Sequence, residues 1–599
     1  MRFFIGLIVA GQAFSLADQA PAPAIVRDLT HFSQVMNATR AYQAILPPDY
    51  AATQKRYPVI YWLHGYEEPD AGRDAAIAAY VAAHDVIVLN AGPVETAGQF
   101  PLYFPELAGQ VDKTLRTVPD RNHRGVTGFS LGGFMAFSIA GKYPDLVASA
   151  SSFMGLPAAP VGPRNLDVEY RLEDLYGNYD GVRTRLVTGS HDFLQFYHRR
   201  LNSIWLYARS GHETEEFDSG HGTPEIAKTL DFHLRAFANP LPKPPIFQHA
   251  DVYPDFMVWD WEVASDRKQP GFTVLQDVTS KGFRSAVREW LPGGALIPRV
   301  KLSIVSAPMY APGSPQAVTY LRLRDGVARR SAQKADAQGR LSFELDGDAW
   351  EVGVSAGPAV TVSGFEIADA AWATAGGPVK LRVKFLNKGQ TRSGTAAIQW
   401  ESPNDGVKIE PAASRLFGLA PAESGLLPVT ITVADPARAV VKLFAVDGTN
   451  RMPFEVPLFP PAPAASDFHL SDGQTADVYQ HAVEQADVTL GEGNADGRAA
   501  PGEAVAILLP DGPAMRAGEL FTNDACVDTS LRASDSWAEY DRAGVSAVYT
   551  LAAIRQDCPP GHVVHALVRV LIPSAPNHRV RYAAIEFPVW YRRGEEPKK

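Results

Sequence analysis

Between residues 58 and 237 short apolar runs alternate with longer stretches of helical periodicity. Pro58-Val59-Ile60-Tyr61-Trp62-Leu63, Val86-Ile87-Val88-Leu89-Asn90, Ala148 to Gly155 and Arg185-Leu186-Val187-Thr188-Gly189-Ser190 are continuous runs of strand length. Runs of this kind mark strands covered on both faces. Asp74 to His84, Glu106 to Arg116, Phe134 to Ala140 and Glu225 to Phe237 read as helices between them. The alternation predicts a largely parallel sheet flanked by helices. After the proline-rich stretch Asn239-Pro240-Leu241-Pro242-Lys243-Pro244-Pro245 the helical signal nearly vanishes. Val379, Leu381, Val383 and Phe385 then alternate with Lys380, Arg382 and Lys384, and Val429, Ile431 and Val433 with Thr430 and Thr432. A period of two describes sheet strands with one wet face. A second stiff joint falls at Pro460-Pro461-Ala462-Pro463. The pattern divides the chain into a leader at 1–17, an α/β unit at 18–239, a β-rich unit at 246–356, a β-sandwich at 357–459 and a sandwich-like unit at 466–599.

The α/β unit carries one candidate nucleophile. Gly128-Phe129-Ser130-Leu131-Gly132 sits between the apolar run Gly125-Val126-Thr127 and the helical run that begins near Phe134. A serine on a sharp strand-to-helix turn, with glycine two residues either side, is a nucleophile elbow. A serine hydroxyl needs a base, and the base an orienting acid. Both follow in the order this arrangement uses. Asp192 ends the run 185–190, and His221 lies in the glycine-flanked loop Ser219-Gly220-His221-Gly222. Asp218 is the rival acid, but it is only three residues from His221. Oxyanion donors come from the loop after the strand Val59 to Leu63 and from the residue after the nucleophile, which are the amides of Tyr66 and Leu131. His64 reads as a loop histidine that shapes the oxyanion turn.

These residues resemble the esterase family of α/β-hydrolases that contains esterase D and the feruloyl and acetylxylan esterases. The matching stretches include Arg40 to Tyr50, Tyr57 to Tyr66, Pro105-Glu106-Leu107, Val118-Pro119-Asp120-Arg121, Val126 to Gly133, Lys142-Tyr143-Pro144-Asp145 and Gly189-Ser190-His191-Asp192. The resemblance covers about the first 240 residues. It implies an α/β-hydrolase fold and a serine carboxylesterase with Ser130 as nucleophile, Asp192 as acid, His221 as base and Tyr66 and Leu131 as oxyanion amides. The histidine loop departs from the family, which often places an aromatic residue shortly after the histidine where this chain has Gly222-Thr223. The segment 357–459 resembles the immunoglobulin-like modules attached to bacterial secreted enzymes.

Composition narrows the partners. The net charge of −10 over 599 residues argues against nucleic acid and anionic membrane as primary partners. Arg2 followed by Phe3 to Ala10 and then Ser15-Leu16-Ala17 reads as an export signal cleaved after Ala17. The mature protein is therefore expected in the periplasm or outside the cell, without a membrane span. The two cysteines, Cys526 and Cys558, fall in one β unit, and in an exported protein such a pair favours a disulfide. No cofactor is called for and no metal site is suggested. Asn494, Asp496 and Glu503 offer oxygens that could suit calcium, but their spacing is not that of an EF-hand, and a turn that folds without metal is favoured. Tyr253, Phe256, Trp259, Trp261 and Trp290 form an aromatic cluster that reads as core in preference to a sugar-stacking platform. The expected substrate is a small ester or an esterified polysaccharide, with glycan contact through the β units as a further expectation. The alternatives are a serine peptidase of the same fold and a non-enzymatic glycan-binding protein on a hydrolase scaffold.

Overall fold

The computed structural model describes residues 22–66, 71–92, 94, 98–465, 467–480, 483–510, 516–529, 536–540, 545–572 and 579–591. The leader expected at 1–17 lies outside them.

The N-terminal unit is built on an eight-stranded sheet. Its elements are β1 (Ile25–Ser33), β2 (Ala38–Leu46), β3 (Val59–Leu63), α1 (Ala71–Ala83), β4 (Ile87–Asn90), α2 (Phe100–Thr114), β5 (Arg124–Phe129), α3 (Leu131–Lys142), β6 (Ser149–Phe153), β7 (Ala158–Val161), β8 (Val168–Arg171), β9 (Arg183–Gly189), α4 (Gln195–Ala208), β10 (His212–Phe217) and α5 (Ile226–Ala238). The strand order is β1-β2-β4-β3-β5-β6-β9-β10, and β7 pairs β8 outside it. From β4 to β10 every neighbouring pair is parallel. The hairpin β1–β2 adds two antiparallel strands at one edge, with Asn37 taking the positive φ of its turn. Every residue of β3 is buried, as is every residue of β6, which is why these strands read as unbroken runs without alternation.

Two helices depart from the sequence pattern. α2 begins six residues earlier than expected, at Phe100 rather than Glu106. Pro101 looks like a breaker, but a proline in the first turn gives up an N–H that has no helical partner, whereas Pro105 lies inside the helix and costs it one backbone hydrogen bond. The helix α4 is absent from the periodic reading because its buried face mixes Leu201, Ile204 and Trp205 with Gln195, His198 and Asn202. Buried polar groups break the apolar stripe, while their hydrogen bonds, such as Asn202 to Thr214, keep them satisfied.

Beyond α5 the regular elements among the described residues are all strands. Residues 247–354 form a six-stranded and a four-stranded antiparallel sheet around Trp261, Phe283 and Phe343. Residues 360–457 form two four-stranded antiparallel sheets packed through Val383, Phe385, Trp400 and Val441. Residues 469–588 form a third pair of antiparallel sheets, stapled by the disulfide Cys526–Cys558. Tyr253, Phe256, Trp259 and Trp261 are all buried. They are core and seam rings and offer no flat face to a sugar. In the 491–503 turn the carboxylate of Asp472 accepts the amides of Asn494, Asp496 and Gly497, while Asp496 and Glu503 accept the amides of Arg498 and Ala500.

The proline-rich stretch at 239–245 does not leave the units free of one another. Ala250, Val252, Tyr253 and Phe272 enter the same apolar core as Phe134 and Tyr170. Lys142, the last residue of α3, makes a buried ion pair of 2.6 Å with Asp251. The Asn178 side chain bonds both backbone groups of Ala250, at 2.8 and 2.9 Å. Farther along, Lys442 and Asn404 donate to the carbonyls of Ala208 and Tyr207, capping the C-terminal end of α4. Stiff linkers suggest separate modules, but here they lie beside apolar seams that dock the modules.

Candidate active site

The parallel register brings the C-terminal ends of four strands to one edge. Leu63 pairs Gly128, Gly128 pairs Ser152, and Phe153 pairs Val187. The loops that leave this edge carry every candidate residue, as the geometry of open α/β sheets requires.

Ser130 lies between β5 and α3 with φ 52° and ψ −117°. A non-glycine residue at this φ is strained, and the surrounding hydrogen bonds hold it there. Its N–H donates to the Phe153 carbonyl at 2.9 Å, and its carbonyl accepts from Phe134 and Leu156 at 3.0 and 3.3 Å. The flanking glycines have a measurable reason. A Cβ on Gly128 would stand 2.4 Å from the Gly132 carbonyl oxygen, and one on Gly132 would stand 2.1 Å from the Leu63 carbonyl oxygen. Strand, turn and helix therefore pass each other closer than any side chain permits.

Asp192 and His221 meet. His221 Nδ1 lies 3.1 Å from Asp192 Oδ2, and the Asp192 side chain is fully buried. Asp192 Oδ1 accepts the Leu194 amide at 2.8 Å. An ionised carboxylate only accepts, so the imidazole carries its proton on Nδ1 and leaves Nε2 as an acceptor. The histidine loop is pressed onto the end of β9, because a Cβ on Gly189 would meet the Ser219 carbonyl oxygen at 2.5 Å. Gly222 N–H lies 3.1 Å from the Met154 sulfur. Phe129 and Phe193 flank the His221 ring, with centroids at 4.7 and 4.8 Å. The aromatic neighbour missing after His221 in sequence is thus supplied by the elbow and by the acid loop. Beneath them His198 is buried, donates its Nε2–H to the Gly155 carbonyl oxygen at 2.8 Å, and is pushed by burial below the usual imidazole range.

Asp218 stands elsewhere. Its side chain is 91% exposed and pairs with His191 at 2.8 Å. Ser130 Oγ makes no hydrogen bond to His221 among the described residues. Such bonds are often long in a free site and tighten only around substrate.

The oxyanion candidates sit on either side of the nucleophile. Leu131 is the first residue of α3, so its amide has no partner within the helix. The loop after β3 carries Tyr66 past Ser130, since a Cβ on Gly65 would lie 3.4 Å from the Ser130 Cβ. His64 in that loop contacts Arg73 at 3.3 Å, and the buried Arg73 guanidinium lies over Trp62. His64 is therefore tied into the support of the loop. Tyr66 is 85% exposed and Phe193, whose ring lies against His221, is 57% exposed. Phe193, His198 and Met154 were not singled out in the sequence. Only Phe193 left a signal there, as the residue that follows the acid.

Comparison with known proteins finds similarity in the same region. Residues 104–236 match the family described as "Putative esterase". Two curated relatives from Mycobacterium tuberculosis strains, Esterase MT1326 and Esterase Rv1288, are each 31% identical over 127 residues. That match covers 18% of this chain and 28% of each relative. Among solved structures, a ferulic acid esterase overlays with a TM-score of 0.30 at 23% identity, over 36% of this chain and 98% of its own. The fluorophosphonate-binding serine hydrolase FphF of Staphylococcus aureus overlays with a TM-score of 0.31 at 16% identity, over 36% of this chain and all of its own.

Proposed function

We propose that this protein, whose residues 104–236 match the esterase family model, is a serine carboxylesterase acting through an acyl-enzyme on Ser130. One observation carries the reading: a strained serine at the strand edge and a buried Asp192–His221 pair on loops from the same edge. Ser130 Oγ attacks the ester carbonyl carbon while His221 Nε2 takes its proton. The carbonyl oxygen becomes an oxyanion and is held by the amides of Tyr66 and Leu131. His221 then protonates the departing alkoxide. Water, deprotonated by the same nitrogen, releases the acid and restores Ser130. Asp192 keeps the imidazole in its Nδ1–H tautomer and stabilises the imidazolium that forms in each half-reaction. The substrate class we favour is an acyl group on a soluble ester or on polysaccharide, with the exposed rings of Tyr66 and Phe193 forming the rim that meets it. Export to the periplasm or beyond, from the leader 1–17, is part of the same proposal.

The test is hydrolysis of 4-nitrophenyl acetate by the full chain and by Ser130→Ala. Loss of a triad nucleophile lowers turnover by about a million-fold. Near-normal turnover in a folded Ser130→Ala protein would overturn the mechanism. A panel of acetylated and feruloylated polysaccharides beside peptide substrates then ranks the acyl preference, and a preference for peptides would favour the peptidase reading.

A further inference from the structure

A large cavity lies where the α/β unit meets all three β units. It is partly open to the surface and has a volume of about 650 Å³, within the range of pockets that hold small organic ligands. Its walls come from the segment 171–178 and α4, from 248–250 and 274–292, from Val440 and Phe459, and from Glu519 to Phe521. None of these residues belongs to the triad or to the oxyanion segments, so the cavity is a separate place from the esterase site.

The charges around it are nearly all matched. Arg171 pairs with Glu519 and Glu173, Arg200 with Glu173 at 3.4 Å, and Arg284 with Glu351 at 3.0 Å. Arg288 is the exception. Among the described residues it makes one hydrogen bond, 2.8 Å to the Gly294 carbonyl oxygen, and no ion pair. Burial lowers its pKa and no acidic group acts against that effect. A guanidinium has five donors in a planar fork that matches a carboxylate, and most of that fork is unused. The cavity lining also offers apolar and aromatic side chains, among them Trp290, Leu291, Ile204, Phe459 and Phe521.

We infer that this cavity is a second ligand site, for a monocarboxylic acid with a flat apolar body whose carboxylate is held by Arg288. One unmatched cation accommodates one negative charge. Glu173, Asp174 and Glu519 line the same space and repel a second, which disfavours phosphate esters and dicarboxylates. The apolar walls supply the affinity that one charge pair lacks. The acid half of an ester with an aromatic acyl group has this chemistry, so the site is suited to hold a product of the proposed reaction, but its test does not depend on that reaction.

The experiment is calorimetric titration of the full-chain Ser130→Ala protein with cinnamate at millimolar concentration, beside the neutral isostere cinnamamide. Cinnamate should bind, and cinnamamide should bind at least about tenfold more weakly, the factor that a charge-assisted hydrogen bond supplies. Arg288→Gln in the same background should weaken cinnamate by at least about tenfold, and Arg288→Lys should recover part of the loss. Arg288→Gln alone should leave turnover of 4-nitrophenyl acetate unchanged. No binding of cinnamate, equal binding of cinnamamide, or cinnamate affinity untouched by Arg288→Gln would each overturn the proposal, the last by placing the acid in the acyl pocket. Should Arg288→Gln fail to fold, competition decides: cinnamate that inhibits hydrolysis of 4-nitrophenyl acetate by the parent protein competitively, at the concentration at which it binds, lies in the acyl pocket and overturns the proposal.

Discussion

Asp192 and Asp218 both precede His221 in sequence, and their surroundings separate them. Asp192 is fully buried against the imidazole, whereas Asp218 faces water and His191. An amide at 192 would accept poorly from Nδ1–H and donate in its place, turning the histidine to the wrong tautomer. Asp192→Asn is therefore expected to lower kcat by about ten-thousand-fold, while Asp218→Asn stays within a few-fold of the parent. Steady-state kinetics of the two variants on one chromogenic ester give the ranking, and the reverse order would transfer the acid's role to Asp218. A second residue-scale prediction concerns His233 on α5. Its two ring nitrogens bond Ser149 and Ser151 at 2.8 Å each, and complete burial pushes its pKa down to about 3. The unfolded chain binds this proton near pH 6.5 and the folded chain only near pH 3. Its contribution to stability is thus fully present above the unfolded value and is lost as pH falls through the window between the two, at up to about 1.4 kcal/mol per pH unit. His233→Asn should flatten that part of the stability–pH curve measured by urea unfolding. An unchanged slope would show that His233 is not the group protonated there.

At the scale of elements, the site depends on how closely β3, β5 and α3 approach. Gly132 meets the Leu63 and His64 carbonyl oxygens at distances a methyl group cannot share, 2.1 and 2.4 Å from an added Cβ. Gly132→Ala must push α3 away from the end of β3. That motion separates the Leu131 amide from the loop bearing Tyr66, the two proposed oxyanion donors. The expected cost is about 1–3 kcal/mol in stability, with a fall in kcat larger than any change in KM, because the donors act on the transition state. Gly98→Ala, where an added Cβ meets nothing within 4 Å, is a suitable contrast, although its positive φ adds some backbone strain of its own. Equal kinetic effects of the two substitutions would argue against close approach as the reason for Gly132.

At the scale of the molecule, the β units are docked on the α/β unit by an apolar seam and by buried charge. Arg569 reaches Glu173 at 3.0 Å and pairs with Glu519, which in turn pairs with Arg171. The opposing carboxylates hold both guanidiniums above their usual range. Removing one member leaves the others buried and unmatched, at a cost of about 3–5 kcal/mol. Arg569→Met should therefore lower the unfolding midpoint while leaving kcat on a small ester unchanged. The fragment 18–239 gives a stronger test. It would expose the faces of α3 and the sheet that Ala250, Val252, Tyr253 and Phe272 cover, and it would strip Lys142 of Asp251. We expect it to be poorly soluble, and that the full chain is needed for a stable α/β unit. A soluble, fully active fragment would show that the seam contributes little.

The local chemistry of this protein is written in its sequence. The elbow at 128–132 is legible because a sharp strand-to-helix turn demands small residues at fixed offsets, and the strands β3, β5, β6 and β9 because burial on both faces demands unbroken apolar or small residues. The disulfide is legible because only two cysteines exist and both fall in one β unit. What tertiary structure alone decided are relations between distant segments. The period of α4 is hidden by polar residues whose partners lie on other elements, such as His198 with Gly155 and Asn202 with Thr214. Phe129 and Phe193 become neighbours of His221 only when three strand ends share an edge. The proline-rich joints fix stiffness and reach, but not whether the units they connect touch. That depends on complementary faces such as Phe272 against Tyr170 and Arg569 against Glu173, which no window along the chain contains, because buried charge and shape are matched in space and not in sequence.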